Sequence, residues 1–466
     1  MKFSLDRIPG MRVTVMGLGL HGGGAASARF FAEHGADVTV TDLRTENELS
    51  SSLEALSDCS VRYVLGKHEE NDFRSADLII KNPGVPSDSP YLWIGGPVET
   101  DISIFLQAVD SPVLAATGTK GKSTVVSALH HILTGAFPEA RLGGNITVSP
   151  LSFLDELFSI TPPPPVVLEL SSWQLADLRG RDVLRPDVAA VTNIMRDHLN
   201  RYSSMEAYVD DKKEIYRGQS ERETSVFFYD DPWTESFVSE TRAQVVYYGN
   251  TTLPKGLEGG WISPLGEGVI RMEGDDVEGT LLVPPELKVP GAHNRLNLLC
   301  AAVMARVYGV EDRIIRSGAA SFPGIPHRLE FTGEKNGVRF YNDSAATIPD
   351  AVLEAVRSFP PKVVLIAGGT DKNLEFSLFG EIADLSSTVV LLEGSGTDRI
   401  IDVVQTAGHR FLGPYSSLDR ACSAAFEAAE KGDTVLFSPG CASFEMFANE
   451  FERGRMFKES IRTLIR

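Results

Sequence analysis

The apolar and polar positions of the chain follow two alternating periods, which is typical of strands that alternate with helices. Residues 12–42 consist of the strand RVTVMG, the loop LGLHGGG, the helix AASARFFAEHGA and the strand DVTVTD. A second strand, loop and helix begin at VLAATGTKGKST. The apolar positions of that helix fall on one face: Val125, Val126, Leu129, Ile132 and Leu133. These periods predict an α/β fold.

Two changes in this pattern divide the chain. From about residue 224 to 290, short β-type runs such as VVYYGN, GVIRMEG and TLLVPPE predict an antiparallel excursion. After FPGIPHRLE, apolar strands again run into small-residue loops, as in KVVLIAGGTDK and DTVLFSPGCAS. The pattern and the length of 466 residues predict three domains. These are a Rossmann-like domain over 1–99, a central P-loop ATPase-type domain with a mixed or parallel sheet over 100–323, and a second Rossmann-like domain over 324–466.

Composition excludes several classes of protein. The chain carries 44 Lys and Arg against 63 Asp and Glu, a net charge of -19 that disfavours nucleic acid and anionic membranes as partners. No apolar run reaches the roughly 18 residues that a membrane span needs, and charges stand where a signal peptide would be apolar. The four cysteines have neither metal-type nor paired spacing. We expect a cytoplasmic protein with reduced thiols.

The second glycine loop, GTKGKST, has most of a phosphate-binding motif. Ala116 stands at the first position of the frame G-x-x-x-x-G-K-[ST], and the tail from Gly121 to Thr124 is intact. The N–H groups of residues 118–124 are predicted to converge on phosphate at a helix start, with Lys122 supplying charge and Ser123 a hydroxyl for Mg²⁺. The alternative is a glycine turn that only joins a strand to a helix. The strand before and the amphipathic helix after favour nucleotide binding.

Other candidates are weaker when taken alone. Glu169 ends an apolar strand and is either a surface residue or the acid that completes a Mg²⁺ shell. His198 in NIMRDHLNRY is by default a structural histidine. Lys212 and Lys213 in YVDDKKEIY are by default solvated helix charges.

The first glycine loop follows the dinucleotide fingerprint. Gly17, Gly19 and Gly22 lie between a strand and a helix, and Asp42 ends the next strand, where the fingerprint acid takes a ribose hydroxyl. An NAD-dependent dehydrogenase is therefore the first hypothesis. No hydride-transfer site follows, whereas an ATP-type loop does. Because backbone N–H groups bind phosphate and not a base, any nucleoside diphosphate fits this loop, and a plain βα turn is the other reading.

Motifs from residue 118 to 454 together identify a resemblance. Ten short sequences occur in the order found in the Mur ligase family: GTKGKST, GGNITVSP, LELSSWQL, NIMRDHLNRY, GAHNRLN, IPHRLEF, NDSAATIP, GGTDK, SPGCASFEMF and FERG. SSWQL and CASFEMF look like its D-glutamate-adding branch. The resemblance implies an ATP-dependent ligase of peptidoglycan synthesis that forms an amide bond through an acyl phosphate. It implies a monomer that uses ATP and two Mg²⁺ ions, with UDP-N-acetylmuramoyl-L-alanine and D-glutamate as substrates.

The resemblance also implies roles for individual residues. The first domain would bind the UDP substrate through Gly17, Leu18, Asp42, Arg44 and Gly84, with Asn145 orienting its reacting carboxylate. ATP would be bound by Gly118, Thr119, Lys120, Gly121, Lys122, Ser123, Thr124, Asn294, Asn297, Arg328 and Asp343. The metal ligands would be Ser123, Glu169, His198 and a carbamylated Lys212. The catalytic residues would be Lys122, Asn145, His198 and Lys212, and D-glutamate would contact Lys372 and Ser443 in the third domain.

Two positions depart from the family pattern, and three alternatives stay open. Ala345 stands where the family usually has lysine, and Glu450 where well-known members carry an aromatic residue. One alternative is a neighbouring ligase that adds another amino acid. The second is folylpolyglutamate synthase, which should lack a UDP-type domain like that of residues 1–99. The third is a non-enzymatic P-loop regulator or an NAD-binding sensor.

Overall fold

The computed structural model describes residues 3–20, 22–146, 148–196, 202, 204–359, 362–372 and 374–466. The described strands form three sheets. The chain groups into two compact units, Met1–Pro285 with Leu296–Ala319, and Glu286–Arg295 with Ala320–Arg466. The first unit holds two sheets and the second holds one, and the boundaries near residues 99 and 323 stay a prediction. In the described part of the chain, every helix is too short or too polar to cross a membrane.

The N-terminal sheet has five strands: β1 (Arg12–Met16), β2 (Asp37–Asp42), β3 (Val61–Leu65), β4 (Leu78–Lys81) and β5 (Val98–Glu99). Its helices are α1 (Gly23–Glu33), α2 (Ser50–Glu54), α3 (Glu70–Arg74) and α4 (Asp101–Ala108). The strand order is β3-β2-β1-β4-β5, and all neighbours are parallel. The order reverses between β1 and β4, and ligands of such sheets bind at the carboxyl ends of the strands there. The predicted strand-loop-helix-strand unit of residues 12–42 is confirmed.

The central sheet has nine strands: β6 (Val113–Thr117), β7 (Arg141–Gly144), β8 (Val166–Glu169), β9 (Val188–Val191), β10 (Thr224–Phe228), β11 (Gln244–Gly249), β12 (Gly259–Ile262), β13 (Gly268–Arg271) and β14 (Thr280–Val283). Its helices are α5 (Lys122–Leu133), α6 (Leu154–Phe158), α7 (Ser172–Leu178), α8 (Met205–Arg217), α9 (Thr234–Glu240), α10 (Ala292–Val307) and α11 (Asp312–Ser321). The order is β14-β13-β12-β11-β10-β9-β6-β8-β7. Strand β6, with the second glycine loop at its end, therefore lies between β9 and β8.

The predicted antiparallel excursion is correct only in its last part. Strand β11, which contains VVYYGN, runs parallel to β10, and β12 runs parallel to β11. Only the pairs β12-β13 and β13-β14 are antiparallel. The prediction was wrong for β11 because it overlooked helix α9, which supplies the crossover that a parallel pair needs.

Burial explains why the strands of the first unit read as apolar runs. All residues of β6, β8 and β9 are buried, as expected for parallel strands covered on both faces. The five predicted apolar positions of α5 are all buried as well. Residues of the N-terminal sheet, such as Val15 and Val40, belong to the same hydrophobic core as Ala115 and Leu168 of the central sheet. The two sheets are thus packed into one unit.

The third sheet forms the second unit with strands β15 (Glu330–Lys335), β16 (Val338–Asn342), β17 (Val363–Ala367), β18 (Ser386–Leu392), β19 (Phe411–Tyr415) and β20 (Thr434–Phe437). Its helices are α12 (Pro349–Arg357), α13 (Phe379–Asp384), α14 (Ser395–Thr406), α15 (Leu418–Ala428) and α16 (Glu450–Ile465). The order is β15-β16-β20-β17-β18-β19, with one antiparallel pair at the β15 edge. The predicted return to parallel strands after FPGIPHRLE is confirmed.

Ion pairs fasten the N-terminal sheet to helix α7 of the central sheet. The Lys81 ammonium, at the end of β4, lies 2.7 Å from the Asp177 carboxylate, and their side chains are only 4% and 11% exposed. Arg181 just after α7 donates to Glu99 and to the Val98 carbonyl, both at 2.8 Å. These pairs tie the helix that follows Glu169 to the carboxyl ends of β4 and β5.

Replacing Lys81 by methionine removes the ammonium that lies 2.7 Å from the buried Asp177 carboxylate. We expect Lys81→Met to lower the free energy of unfolding by about 3 kcal/mol or more, because one-sided loss of a buried pair costs that much. Urea unfolding would measure it, with Lys67→Met as control, since the Lys67–Glu69 pair is exposed. The double variant Lys81→Met with Asp177→Leu should recover most of the loss. Equal stability of the Lys81 and Lys67 variants would contradict this account.

Candidate functional site

A cavity of about 820 Å³ lies at the switch point of the N-terminal sheet. Four of the residues predicted to bind the UDP substrate line it: Gly17, Asp42, Arg44 and Gly84. Leu18 does not, because its side chain is fully buried beneath the loop. The cavity is therefore built from the loops that follow β1, β2 and β4, where a nucleotide is expected in an open parallel sheet.

The first glycine loop needs glycine for close packing. Gly17 has a positive φ of 90°, and a side chain there would lie 3.0 Å from Asn82. Asp42 is nearly buried and accepts hydrogen bonds from the N–H groups of Gly19 (3.1 Å) and Arg44 (2.9 Å). In this structure the Asp42 carboxylate therefore stabilises the loops around the cavity, whereas the fingerprint acid binds a ribose hydroxyl.

An aromatic wall of the same cavity was not predicted. The His68 ring packs against Phe73 and Tyr91, and its Nδ1 lies 2.7 Å from the Thr41 hydroxyl. Burial lowers the pKa of His68, which favours the neutral imidazole. Sequence reasoning missed these residues because no spacing rule connects β3 and the loop after β4.

The second glycine loop joins β6 to α5 in a conformation that requires glycine. Gly118 and Gly121 have φ values of 144° and 85°. A Cβ atom at Gly118 would lie 1.9 Å from Thr192 Oγ1, and one at Gly121 would lie 2.4 Å from Asn297 Oδ1. Asn297 of α10 is thus brought against the loop. Ser123 and Thr124 lie in the first turn of α5, where the N–H groups of a helix lack intrahelical acceptors and attract anions.

Two of the loop's N–H groups point elsewhere. The Thr119 N–H donates to the Asn193 carbonyl (2.8 Å), and the Lys120 N–H donates to Asn193 Oδ1 (3.0 Å). The expectation that all N–H groups from 118 to 124 converge on phosphate is wrong for these two. Fewer N–H groups of this loop are therefore available to bind an anion.

Two lysines meet at one carbonyl of the loop. Lys122 Nζ donates to Gly118 O at 3.1 Å and to Thr119 O at 2.9 Å, and Lys212 Nζ donates to Gly118 O at 2.8 Å. Lys212 is 2% exposed, and its ammonium lies 4.6 Å from the centroid of the Tyr208 ring. The default reading of Lys212 as a solvated charge is wrong, since helix α8 points it at the loop. Lys213 is also buried and bonds to Ser236 and Glu240.

Glu169 is a buried carboxylate beside the second glycine loop. It is 1% exposed and pairs with Ala116 across β6 and β8. Its Oε1 accepts from Asn145 Nδ2 at 2.8 Å, and the Asn145 N–H donates to the Glu169 carbonyl at 2.8 Å. Its Oε2 is buried without a hydrogen-bond partner in the described residues. Asn145 therefore lies at this site and not in the N-terminal cavity.

An unpartnered buried carboxylate oxygen fits a metal ligand, because burial without a partner is costly and Mg²⁺ prefers oxygen. Among the described residues, no group of three or more His, Cys, Asp or Glu side chains has an arrangement that could hold a metal ion. Mg²⁺ commonly uses one or two carboxylates with phosphate and water, which Glu169 and Ser123 allow. The predicted metal ligand His198 falls outside the described residues.

In the second unit, Asp343 follows β16 and is 5% exposed. It accepts from the Leu329 N–H (3.1 Å) and from the Ser438 hydroxyl (2.7 Å). Burial raises the pKa of Asp343 to about 7, and the nearby Arg328 charge opposes that rise. Asn294 is nearly buried, and its Nδ2 donates to the Pro290 carbonyl at 2.6 Å.

The structure places Lys372 and Ser443 on adjacent loops, which follow the neighbouring strands β17 and β20. The loops that carry them are joined by two hydrogen bonds of 3.0 Å between the backbones of Thr370 and Ala442. Ser443 is buried, and exposed Lys372 places its ammonium 4.7 Å from the centroid of the Phe444 ring.

Arg453 in helix α16 was not predicted. Its guanidinium is 1% exposed and donates to the carbonyls of Ser344 (2.8 Å) and Cys441 (3.0 Å). Burial lowers its pKa to about 10, so that it stays charged at neutral pH. It holds the loop after β20 against the loop after β16, where Ala345 lies, and Glu450 is the first residue of α16. The Ala345 N–H donates to the His327 carbonyl, and the Glu450 carbonyl accepts from Ser344.

Known proteins with similar sequences cover the whole chain. Sequence models of the Mur ligase MurD-like N-terminal domain, the Mur ligase middle domain and the Mur ligase glutamate ligase domain match residues 11–95, 116–305 and 327–441. Proteins named UDP-N-acetylmuramoylalanine--D-glutamate ligase are 39% identical in Roseiflexus sp. (98% of this chain, 99% of that one) and 38% identical in Treponema pallidum (98% of each). This chain belongs to the Mur ligase family.

Solved structures agree with this Mur ligase in fold. The UDP-N-acetylmuramate-alanine ligase MurC of Thermotoga maritima matches with a TM-score of 0.58 at 20% identity, over 97% of this chain and 99% of that one. MurF of Acinetobacter baumannii matches with a TM-score of 0.57 at 15% identity, over 91% of each chain. These matches confirm the predicted α/β fold class.

Glu169→Gln tests the metal role in this Mur ligase. Glutamine keeps the acceptor for Asn145 but removes the carboxylate charge. We expect the dissociation constant of Mn²⁺, titrated by electron paramagnetic resonance with a non-hydrolysable ATP analogue, to rise about 10- to 100-fold. Glu156→Gln is the control, because Glu156 is exposed and pairs with Arg141. Unchanged metal affinity in Glu169→Gln would argue against a ligand at this position.

Proposed function

We propose that this Mur ligase adds D-glutamate to UDP-N-acetylmuramoyl-L-alanine with ATP, in peptidoglycan precursor synthesis. The observation that supports the proposal is the presence of two separate glycine loops in one unit, each leading into a helix, with the buried carboxylate of Glu169 beside the second. The full-length relatives that bear this activity in their names support the choice of substrates. A chain with a nucleotide cavity at β1 and a phosphate loop at β6 has a place for each of two nucleotides.

The reaction needs activation because a carboxylate is a poor electrophile. In the proposed sequence, the substrate carboxylate attacks the γ-phosphorus of ATP, ADP leaves, and an acyl phosphate forms. The amine of D-glutamate, as the free base, then attacks the acyl carbon, and the C–N bond forms as phosphate and a proton are released. Such chemistry depends on positioning and charge stabilisation and does not need a protein nucleophile.

Residues at the second glycine loop fit the first step. Lys122 places positive charge at the start of α5, where phosphate oxygens would bind. Mg²⁺ held by Ser123 and Glu169 would neutralise phosphate charge. Asn145 is fixed by Glu169 and presents its amide beside the metal site, which suits a residue that orients the substrate carboxylate.

Residues of the second unit fit the amino acid. The Lys372 ammonium and the Ser443 hydroxyl, on the adjacent loops after β17 and β20, suit the side-chain carboxylate of D-glutamate. We infer that Asn294, Arg328 and Asp343 contribute to ATP binding, as the family resemblance implies. We also propose that the enzyme acts in the cytoplasm, since its substrates are polar small molecules, and that it is a monomer, as the family resemblance implies.

The alternatives fit less well. A folylpolyglutamate synthase should lack the N-terminal cavity, whereas residues 11–95 match a MurD-like N-terminal domain. A non-enzymatic P-loop regulator would share the Mg²⁺ carboxylate at its phosphate loop, but it predicts no amide product. An NAD sensor has no need of the second glycine loop. Another Mur ligase that adds a different amino acid shares all of the ATP chemistry, so the amino acid is the point to test.

ADP release identifies the amino acid. With ATP, Mg²⁺ and UDP-N-acetylmuramoyl-L-alanine, we expect ADP to be released with D-glutamate at least about 100-fold faster than with L-glutamate, lysine or L-alanine, because a site built for one polar arrangement rejects those lacking it. A coupled spectrophotometric assay would measure the rate. Omitting the UDP substrate is the control. Release with lysine alone would assign another ligase, and no release with any of the four would refute the proposal.

We further propose that Lys212 is carbamylated in the active enzyme. Its amine is buried beside the second glycine loop, where only a few groups can reach it. The Lys212 ammonium first loses a proton, and the neutral amine then attacks CO₂, which forms an N–C bond and releases a second proton. The loss of two protons in all converts a cation into an anion. The carbamate would add a second carboxylate at the second glycine loop, where Glu169 at the end of β8 already supplies one.

Removing Lys212 tests the carbamate. We expect Lys212→Ala to lose about 100-fold or more of the ligase rate and to regain part of it in millimolar acetate or formate, because the added carboxylate would occupy the vacated space. The matched control is Lys213→Ala, which breaks an ion pair with Glu240 away from the loop. Rescue in both variants, or full activity of Lys212→Ala, would remove the carbamate role.

A further inference from the structure

Residues 192–195, which follow β9, form a supporting segment for the second glycine loop. Thr192 Oγ1 donates to the Lys120 carbonyl at 2.6 Å, and the Met195 N–H donates to Thr119 Oγ1 at 3.0 Å. Asn193 contributes most: its carbonyl accepts from the Thr119 N–H, its Oδ1 accepts from the Lys120 N–H, and its Nδ2 donates to the Lys120 carbonyl at 3.1 Å.

We propose that Asn193 is a positioning residue for ATP, which sets the conformation of the second glycine loop without touching the nucleotide. Its side-chain amide offers Lys120 both a donor and an acceptor, as a neighbouring strand would. Thr119 and Lys120 lie between Gly118 and Gly121, and glycines make a loop costly to order. Holding both residues in advance reduces the ordering cost that phosphate binding would otherwise bear.

The supporting segment is itself held in place by hydrogen bonds to the central sheet. The Thr192 N–H donates to the Thr117 carbonyl at 2.8 Å, and the Tyr248 hydroxyl donates to the Thr192 carbonyl at 2.5 Å. The Ile194 N–H donates to Asp231 Oδ2 at 2.7 Å. Tyr248 and Asp231 are buried, so these anchors belong to the core of the central sheet. A change of the Asn193 side chain therefore alters the loop while the segment stays in place.

The chemistry of the side chain is specific. Aspartate at position 193 would keep an acceptor for the Lys120 N–H but would set a carboxylate oxygen against the Lys120 carbonyl. Alanine would remove both side-chain bonds and leave the backbone bond to Thr119. Two lost hydrogen bonds predict about a 30-fold loss of ATP affinity, at about 1 kcal/mol for each bond and 1.4 kcal/mol for each factor of ten.

The inference rests on the proposed ATP-binding role of the loop, and calorimetry separates the two. The full-length protein would be titrated with a non-hydrolysable ATP analogue and Mg²⁺, and separately with UDP-N-acetylmuramoyl-L-alanine. We expect Asn193→Ala and Asn193→Asp to weaken binding of the analogue about 30-fold and to leave the affinity for the UDP substrate and the midpoint of thermal unfolding unchanged. Asn250→Ala is the matched control, since Asn250 also follows a strand of the central sheet but, within the described part of the chain, donates to Asp230 and not to the second glycine loop.

Hydrogen exchange supplies a second readout that does not depend on turnover. The amides of residues 119 and 120 should exchange faster in Asn193→Ala than in the unsubstituted protein or in Asn250→Ala. Unchanged analogue affinity in both Asn193 variants, equal weakening of both ligands, or unfolding of both variants would overturn the inference. If the unsubstituted protein does not bind the analogue, the proposed function itself fails.

Discussion

The parallel register of β6 with β8 and β9 is the constraint on which the site depends. Ala116 pairs with Glu169, and Thr117 pairs with Val191. The second glycine loop, the buried carboxylate and the supporting segment therefore start at the same level of the sheet. A slip of one residue in either pair would turn Glu169 or Thr192 to the other face. The strong burial of all three strands makes such a slip unfavourable.

The same principle recurs in the other two sheets, each considered by itself. The Lys372 and Ser443 loops follow the neighbouring strands β17 and β20, and the N-terminal cavity opens where the strand order reverses between β1 and β4. At such points the loops of adjacent strands diverge and leave a crevice. Each of the three sheets thus carries candidate site residues at the carboxyl ends of its strands, and the proposed reaction has three substrates.

Much of this arrangement is predictable from sequence. The glycine loops, the strand and helix that flank each, and the buried face of α5 follow from period and turn chemistry, because those signals are local. The parallel pairing of β11 was missed because it depends on the short helix α9. The burial of Lys212 could not be read from YVDDKKEIY, since it depends on where helix α8 packs. Asn193 opens a motif that was recognised, but its role requires knowing that β9 lies beside β6.

The protein and its proposed nucleotide substrates are both negatively charged, which accounts for the lysines at the second glycine loop. A chain with a net charge of -19 repels nucleotides at long range, so affinity must come from groups placed at short range. Lys122 and Lys212 both donate to the Gly118 carbonyl, which holds two ammonium groups about 6 Å apart at most. Like charges this close repel one another, and an anion bound beside them relieves the repulsion. Carbamylation of Lys212 would relieve it in a second way, because it turns one of the two cations into an anion that can pair with the other or with a metal.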